Sequence, residues 1–323
     1  MSNYTVSVSP HIHDKSTTSR IMLDVLIALV PAFVASILIF GPRAALVTCV
    51  CVASCVFFEW GYLRIVKKPD PLNTIRDYSA CITGVLLAFN LPVSIPIWQA
   101  VFGSAIAIIL IKQLFGGLGR NIVNPANTAR VVMFLAFSVT MTTWVKPVGF
   151  SVWASPAAIE AIDGLTAATP LPLIWKGELA ALPSLWDMFI GWRGGCLGET
   201  SNLAIAIGGI YLMLRRVISW HIPVAYIVVV TGLTALLGYD PMYQMLGGGL
   251  FLGAFFVATD YVTSPQTNLG RLLFGICCGL CTVLFRVFSS YPEGVSFSIL
   301  LMNLLVPYIN KISQTKPLGG VKA

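Results

Sequence analysis

The sequence contains few charged residues: they make up 10% of its 323 positions, against about 25% in an ordinary soluble domain. Hydrophobic residues account for 57%. A soluble domain of this size cannot hide so much apolar surface from water. The composition therefore excludes a soluble globular enzyme and a disordered chain, and it indicates a polytopic integral membrane protein.

Histidine is also scarce, and most of the eight cysteines lie in apolar runs. The chain has three histidines, and His11 and His13 form a pair that is too small to make a metal site. Cys278 and Cys281 have C-x-x-C spacing but lie in an apolar run, where thiols pack as small hydrophobic groups. No zinc signature, P-loop or Ser-His-Asp set is found. We therefore expect no metal ion, no nucleic-acid partner and no complete active site in this chain alone.

Long apolar runs are what the sequence does contain. A bilayer-spanning helix needs about 20 residues, and some of the ten candidate spans are shorter than this. They cover residues 21–41, 44–64, 78–92, 96–115, 128–144, 201–214, 221–238, 242–259, 271–288 and 295–310. The first is interpreted as a retained helix, because the polar N-terminus lacks the basic-then-apolar order of a cleavable signal peptide.

The positions of the basic residues predict the direction of these spans. With the N-terminus inside, 15 of the 20 Lys and Arg residues fall on the inner side, as the positive-inside rule requires. Both termini are then cytoplasmic. The predicted order is a cytoplasmic tail, a first membrane half, an external loop, a second membrane half and a second cytoplasmic tail. These parts cover residues 1–20, 21–144, 145–200, 201–310 and 311–323.

Each predicted half contains a polar insert on the inner side, at 116–125 after the fourth span and at 259–265 after the eighth. This repeated order of span and polar insert favours an all-α bundle of about ten helices made of two five-helix pseudo-repeats. Asn121 and Asn124 in the first insert, and Thr259 and Asp260 in the second, have two interpretations. They cap turns and helix ends, or they form a polar site for a bound cofactor or a coupling cation.

Two acidic residues, Asp24 and Glu59, fall inside apolar spans. An intramembrane carboxylate is costly and is a candidate for ion or proton transfer. The less specific interpretation is that each lies near a span end, with Glu59 either extending to the membrane surface or paired to Arg64. Glu199 and Arg193, at the start of the sixth span, are expected to pair with each other.

The external loop contains a segment of small and hydroxyl residues, Asp163-Gly164-Leu165-Thr166-Ala167-Ala168-Thr169. By itself it reads as a Ser/Thr or Asx turn, with a threonine hydroxyl accessible to a modifying enzyme. It resembles the motif in which a flavin transferase joins FMN, through its phosphate, to the last threonine. Asp163, Gly164 and Thr166 match that motif, and Ala167 departs from its usual Gly or Ser.

The two polar inserts resemble segments of the RnfD and NqrB family, as do 198–201, 291–295 and 301–303. The absence of a long N-terminal extension favours the RnfD branch. The resemblance implies a membrane flavoprotein subunit of a complex that couples electron flow between ferredoxin and NAD to movement of Na⁺ or H⁺. The implied location is the bacterial cytoplasmic (inner) membrane.

The resemblance also implies the cofactors and partners. FMN would be bound covalently to Thr169, and a non-covalent riboflavin would lie near the inner face. Maturation would need a flavin transferase, and the partners would include a second flavinylated subunit, iron–sulfur subunits and the lipid membrane. Two alternatives remain open: a solute channel or transporter of five-plus-five helices without a redox cofactor, and a structural scaffold.

Overall fold

A computed structural model of the protein describes residues 17–67, 74–147, 182–289 and 294–314. Within these ranges the chain is helical and has no β-strand; an isolated antiparallel bridge joins Pro92 to Cys196. The all-α fold class is therefore confirmed.

The helices follow the apolar runs of the sequence. In chain order they are α1 (Thr18–Phe40), α2 (Pro42–Ile65), α3 (Ser79–Phe89), α4 (Ile97–Gln113), α5 (Pro125–Ala136), α6 (Ser138–Met141), α7 (Leu185–Ile190), α8 (Asn202–Leu214), α9 (His221–Leu236), α10 (Pro241–Leu246), α11 (Leu250–Leu252), α12 (Asn268–Phe288) and α13 (Val295–Ser313).

Four of these helices are long and apolar enough to cross a membrane alone. Helices α1, α2, α12 and α13 have 23, 24, 21 and 19 residues, close to the ~20 that a bilayer requires. Helices α3, α4, α8 and α9 are shorter and apolar. The multi-pass membrane class predicted from the composition is confirmed.

Two predicted spans are interrupted, which corrects the sequence-based boundaries. The span predicted at 128–144 begins earlier, at Pro125, and its helix ends at Ala136 before the short helix α6. The span predicted at 242–259 is divided by Gly247, Gly248 and Gly249. Gly249 has φ +67°, and a Cβ there would overlap the Glu199 carboxylate, so the break requires glycine.

Wide π-helical turns precede both polar inserts. The second part of α4, Ile106–Gln113, is π-helical, and α11 continues as the π-helical Gly253–Val257. Each leads into a polar loop and then into a capped helix: the Asn124 side chain accepts from the Asn127 amide, and Thr267 accepts from the Gly270 amide. This shared order of elements corresponds to the repeated order of span and polar insert in the sequence. Turns of π-helix are frequent at functional sites.

The two halves contact each other along their helices. Helix α1 packs against α8, and α5 packs against α13. A Cβ at Gly208 of α8 would overlap the carbonyl of Ala28 in α1, so the small residue permits close contact between these two backbones. This packing brings the polar loops of the two halves to the same end of the bundle.

Candidate functional site

The predicted flavinylation segment lies outside the described residues. Asp163, Gly164, Thr166 and Thr169 all fall within 148–181, which the structure does not describe. Their role remains a prediction. The residues predicted for the second site, in contrast, are all described.

The two polar loops meet around one cavity of about 80 Å³ between the halves. Asn121 and Asn124 line it from the first half, and Thr259 and Asp260 line it from the second half. The Asn124 Nδ2 donates to Asp260 Oδ2 at 3.4 Å. The structure therefore brings together the four residues that the sequence placed in separate inserts.

Asp260 receives several hydrogen bonds yet remains poorly solvated. Thr263 Oγ1 donates to the same Oδ2 at 3.1 Å, and Asp260 lies in the loop outside the helices. Burial raises the pKa of its carboxyl above the ordinary value, since desolvation outweighs the hydrogen bonds that favour the charged form. A carboxyl in this state can exchange a proton or receive a cation.

One wall of the cavity has an acceptor without a partner. Asn121 is buried, and its Oδ1 accepts no hydrogen bond from the part of the chain that the structure describes. A buried polar atom without a partner costs free energy unless another group satisfies it. Together with the Asp260 carboxylate it supplies oxygen donors, which hard cations prefer.

The cavity extends to a buried ion pair that the sequence analysis missed. Lys112 and Ser79 line the cavity, and the Lys112 ammonium lies 2.8 Å from Glu59 Oε1 and 2.9 Å from Oε2. Lys112 also donates to Ser79 Oγ at 2.6 Å, and Gln113 donates to Glu59 Oε1 at 2.7 Å. Both charged side chains are 1% exposed.

The expected pairing of Glu59 with Arg64 is therefore wrong. Arg64 is exposed and its guanidinium lies over the Trp60 ring, 5.1 Å from the centroid. The available signal in the sequence was Lys112, a lysine near the inner end of the predicted span 96–115. Lys112 points into the bundle, because its partner is on the adjacent helix α2.

Asp24 has a partner from the second half of the chain. Its Oδ1 accepts from the Tyr211 hydroxyl at 3.1 Å, and its Oδ2 lies 3.2 Å from Arg215 Nη2. Arg215 is 44% exposed at its side chain, so this ion pair lies at the edge of the bundle. Asp24 therefore lies near a span end, as the less specific interpretation has it. Its contacts with Tyr211 and Arg215 join α1 to the end of α8.

At the opposite end, Glu199 and Arg193 do not form the expected carboxylate pair. Arg193 Nη2 donates to the backbone oxygen of Glu199 at 2.9 Å. The Glu199 carboxylate accepts from the Cys196 amide at 3.3 Å and lies 3.9 Å from Arg130 Nη2. The loop at 191–201 folds back on itself, so the Glu199 carboxylate bonds the Cys196 amide of the same loop and not the Arg193 guanidinium.

Broken helices, polar loops that meet between two halves, and buried charges define a multi-pass membrane protein with a polar site between its halves. The chain belongs to the NQR2, RnfD, RnfE family, whose pattern matches residues 5–319.

Curated relatives resemble the chain over almost its whole length. It is 44% identical over 322 residues to the D subunit of the Na⁺-translocating ferredoxin:NAD⁺ oxidoreductase complex of Acetobacterium woodii, covering 99% of this chain and 96% of the relative. It is 38% identical to the D subunit of the proton-translocating ferredoxin:NAD⁺ oxidoreductase complex of Clostridium ljungdahlii, covering 98% and 96%. A relative from Stutzerimonas stutzeri, the D subunit of an ion-translocating oxidoreductase complex, is 38% identical with 94% and 93% covered.

Proposed function

We propose that the protein is the D-type membrane subunit of an ion-translocating electron transport complex that links ferredoxin and NAD. The support is the similarity to subunits with that name across nearly the full length of both chains. The other subunits of such a complex are its partners, including a second flavinylated subunit and iron–sulfur subunits. The bacterial cytoplasmic membrane is the proposed location, with both termini inside.

The proposed electron carrier is FMN bound through its phosphate to the Thr169 hydroxyl. The support is the motif formed by Asp163, Gly164, Thr166 and Thr169. A flavin accepts and donates one or two electrons, and this chemistry belongs to the cofactor. The protein's part is to hold the cofactor by a covalent bond, so that no binding equilibrium limits its occupancy. A flavin transferase is needed to form that bond.

The cavity between the halves is the proposed place where an ion enters the bundle, and it is the observation that carries the ion-handling part of the proposal. Asp260 and Asn121 provide oxygen donors, and Lys112 and Glu59 provide charges whose balance changes when an ion binds. Relatives are named for Na⁺ and for protons. A carboxyl with a raised pKa beside amide oxygens suits either ion, because it can be protonated or can receive a cation.

A second, non-covalent flavin is proposed for the same cavity, with Asn121, Asn124, Thr259 and Asp260 at the edge of its ring. Polar groups suited to a flavin edge are present. The volume of about 80 Å³ is below the roughly 300 Å³ at which sites for drug-sized ligands begin. The cavity therefore fits a hydrated cation as it stands, and a flavin ring requires its walls to move apart.

The proposed FMN attachment is tested by replacing the acceptor hydroxyl. The wild-type subunit from cells that contain the transferase should give a fluorescent band on a denaturing gel, with an intact mass raised by one FMN. Thr169→Ala should remove both signals. Thr166→Ser is the matched control and should keep both, because the motif accepts serine at that position.

A solute channel or transporter without a redox cofactor is the second candidate. It is favoured by the broken helix at 247–249 and by the cavity between two halves, which transporters also have. A dark wild-type band from cells with the transferase would favour this candidate over the electron carrier. Solute uptake into vesicles that contain only this chain would support it directly.

A further inference from the structure

A second cavity, of about 340 Å³, lies where residues 215–220 connect α8 to α9. Its polar lining comes from two arginines, Arg216 and Arg271, together with Ser219, Trp220 and Tyr261. No carboxylate is among its lining residues in the described part of the chain. Two guanidinium groups in a cavity lined by no described carboxylate suit an anion, and their planar donors match phosphate.

The two arginines have different environments. Arg216 is exposed, has φ +57°, and forms no ion pair with any residue that the structure describes, whereas the neighbouring Arg215 pairs with Asp24. Arg271 is held in place: its Nε donates to the Pro265 oxygen at 3.2 Å, and its Nη1 to Asn268 Oδ1 at 3.4 Å. One fixed and one adaptable cation therefore face the same cavity.

The walls of the cavity are joined to each other before any ligand binds. The Tyr261 hydroxyl donates to the backbone oxygen of Val217, which connects the loop after Gly253–Val257 to the turn before α9. Trp220 is 55% exposed and stacks on His221 with ring centroids 4.2 Å apart. A half-exposed tryptophan at a helix end is typical of the membrane–water interface.

The last residues of α8 reach this cavity through Met213, and the outer face of the same helix carries a track of exposed apolar residues. Its residues recur at helical spacing and are 40–79% exposed: Leu203, Ile207, Ile210 and Leu214. At 1.5 Å per residue the track is about 17 Å long, similar to an acyl chain, and it ends next to Met213, which lines the cavity. A soluble phosphate compound would make no apolar contact with this track, whereas an acyl chain would.

We propose that this cavity binds the phosphate headgroup of an anionic phospholipid, whose acyl chain lies along α8. Arg216 and Arg271 contact the phosphate, Trp220 lies at the level of the headgroup, and the α8 track contacts the chain. Basic pockets between membrane helices are known to select anionic lipids in this way. The proposal does not depend on the bound flavin or on the translocated ion.

The test is native mass spectrometry of the full chain in a neutral detergent, titrated with phosphatidylglycerol. The wild type should retain one lipid. The double variant Arg216→Gln, Arg271→Gln should bind roughly 25-fold more weakly, at about fivefold for each arginine. Arg64→Gln is the control, because Arg64 is exposed at the end of α2 and does not line the cavity. This variant should bind the lipid within twofold of the wild type.

Three results would overturn the proposal: equal retention of phosphatidylcholine, unchanged retention in the double variant, or displacement of the lipid by millimolar inorganic phosphate. The last would identify a site for soluble phosphate. If the double variant does not fold, Arg216→Gln alone decides the question, because this side chain forms no ion pair among the described residues. Replacing both arginines by lysine should restore only part of the binding, since the charge is kept but the planar donors are lost.

Discussion

Removal of the Lys112 ammonium is expected to destabilise the protein more than removal of any exposed cation. Lys112 and Glu59 are each 1% exposed and lie 2.8 Å apart. At an effective dielectric constant of about 20, their direct attraction is about 6 kcal/mol, and desolvation of both groups cancels much of it. The loss of one partner leaves the other charge buried without compensation, which costs about 3–5 kcal/mol.

The perturbation is Lys112→Met, which keeps the volume and removes the charge. Unfolding of the purified chain in mixed SDS and detergent micelles, followed by tryptophan fluorescence, measures the change in the free energy of unfolding. We expect a loss of about 3–5 kcal/mol. The double variant Lys112→Met, Glu59→Gln should recover most of this loss, because no uncompensated charge remains and Gln113 can still bond the amide at position 59.

Arg64→Met provides the control, since Arg64 is the partner that the sequence suggested. This residue is exposed on a tryptophan ring, so its replacement should cost no more than about 1 kcal/mol. If Arg64→Met destabilised the chain as much as Lys112→Met, the geometry of the ion pair would be refuted. Additive effects of the two substitutions in the double variant would refute the coupling between Lys112 and Glu59.

Two further substitutions test Asp260 in the cavity and the glycine break that faces Glu199. Because burial raises the pKa of Asp260, its contribution to stability is present below the unfolded value of about 3.9 and is lost as pH rises through the higher native pKa. Asp260→Asn imitates the protonated form, so the pH dependence of the unfolding temperature in that window should become flatter; an unchanged profile would contradict the burial of this carboxyl. Gly249→Ala should destabilise the chain by roughly 1–2 kcal/mol, because of its φ of +67°, and the added Cβ also requires the Glu199 carboxylate to move. Gly232→Ala, where no atom lies within 4 Å of the added Cβ, is the control and should not lower stability.

The sequence predicts the positions of most helices because hydropathy is a local property. The long runs that became α1, α2, α12 and α13 are apolar over about the thickness of a bilayer, and no contact with another segment is needed to recognise them. The two interrupted spans are different. One break follows from Gly247–Gly249, and the other lies at Phe137, where the backbone leaves the helical conformation. Neither changes the mean hydropathy of a window.

The residues of the inner cavity could be named from the sequence, but their contact could not. Asn121 and Asn124 are separated from Thr259 and Asp260 by more than 130 positions, and the repeated order of span and polar insert was the reason to consider them together. The hydrogen bond between Asn124 and Asp260 depends on how the halves pack. That packing is decided by contacts such as Gly208 against Ala28, which a single sequence does not reveal.

Glu59 pairs with a cation on another helix, not with Arg64 on its own helix. Arg64 lies five residues after Glu59 on a regular helix, and only residues three or four apart share a face. Helical geometry alone therefore disfavours that pair, and it leaves Glu59 to find a cation on another helix. The π-helical turns of α4 explain why Glu59 contacts two residues of that helix. A wider turn reduces the angle between successive side chains, so Lys112 and Gln113 both reach the Glu59 carboxylate. A regular period of 3.6 residues would direct the Lys112 and Gln113 side chains further apart. The regular helical period therefore does not predict that both contact Glu59.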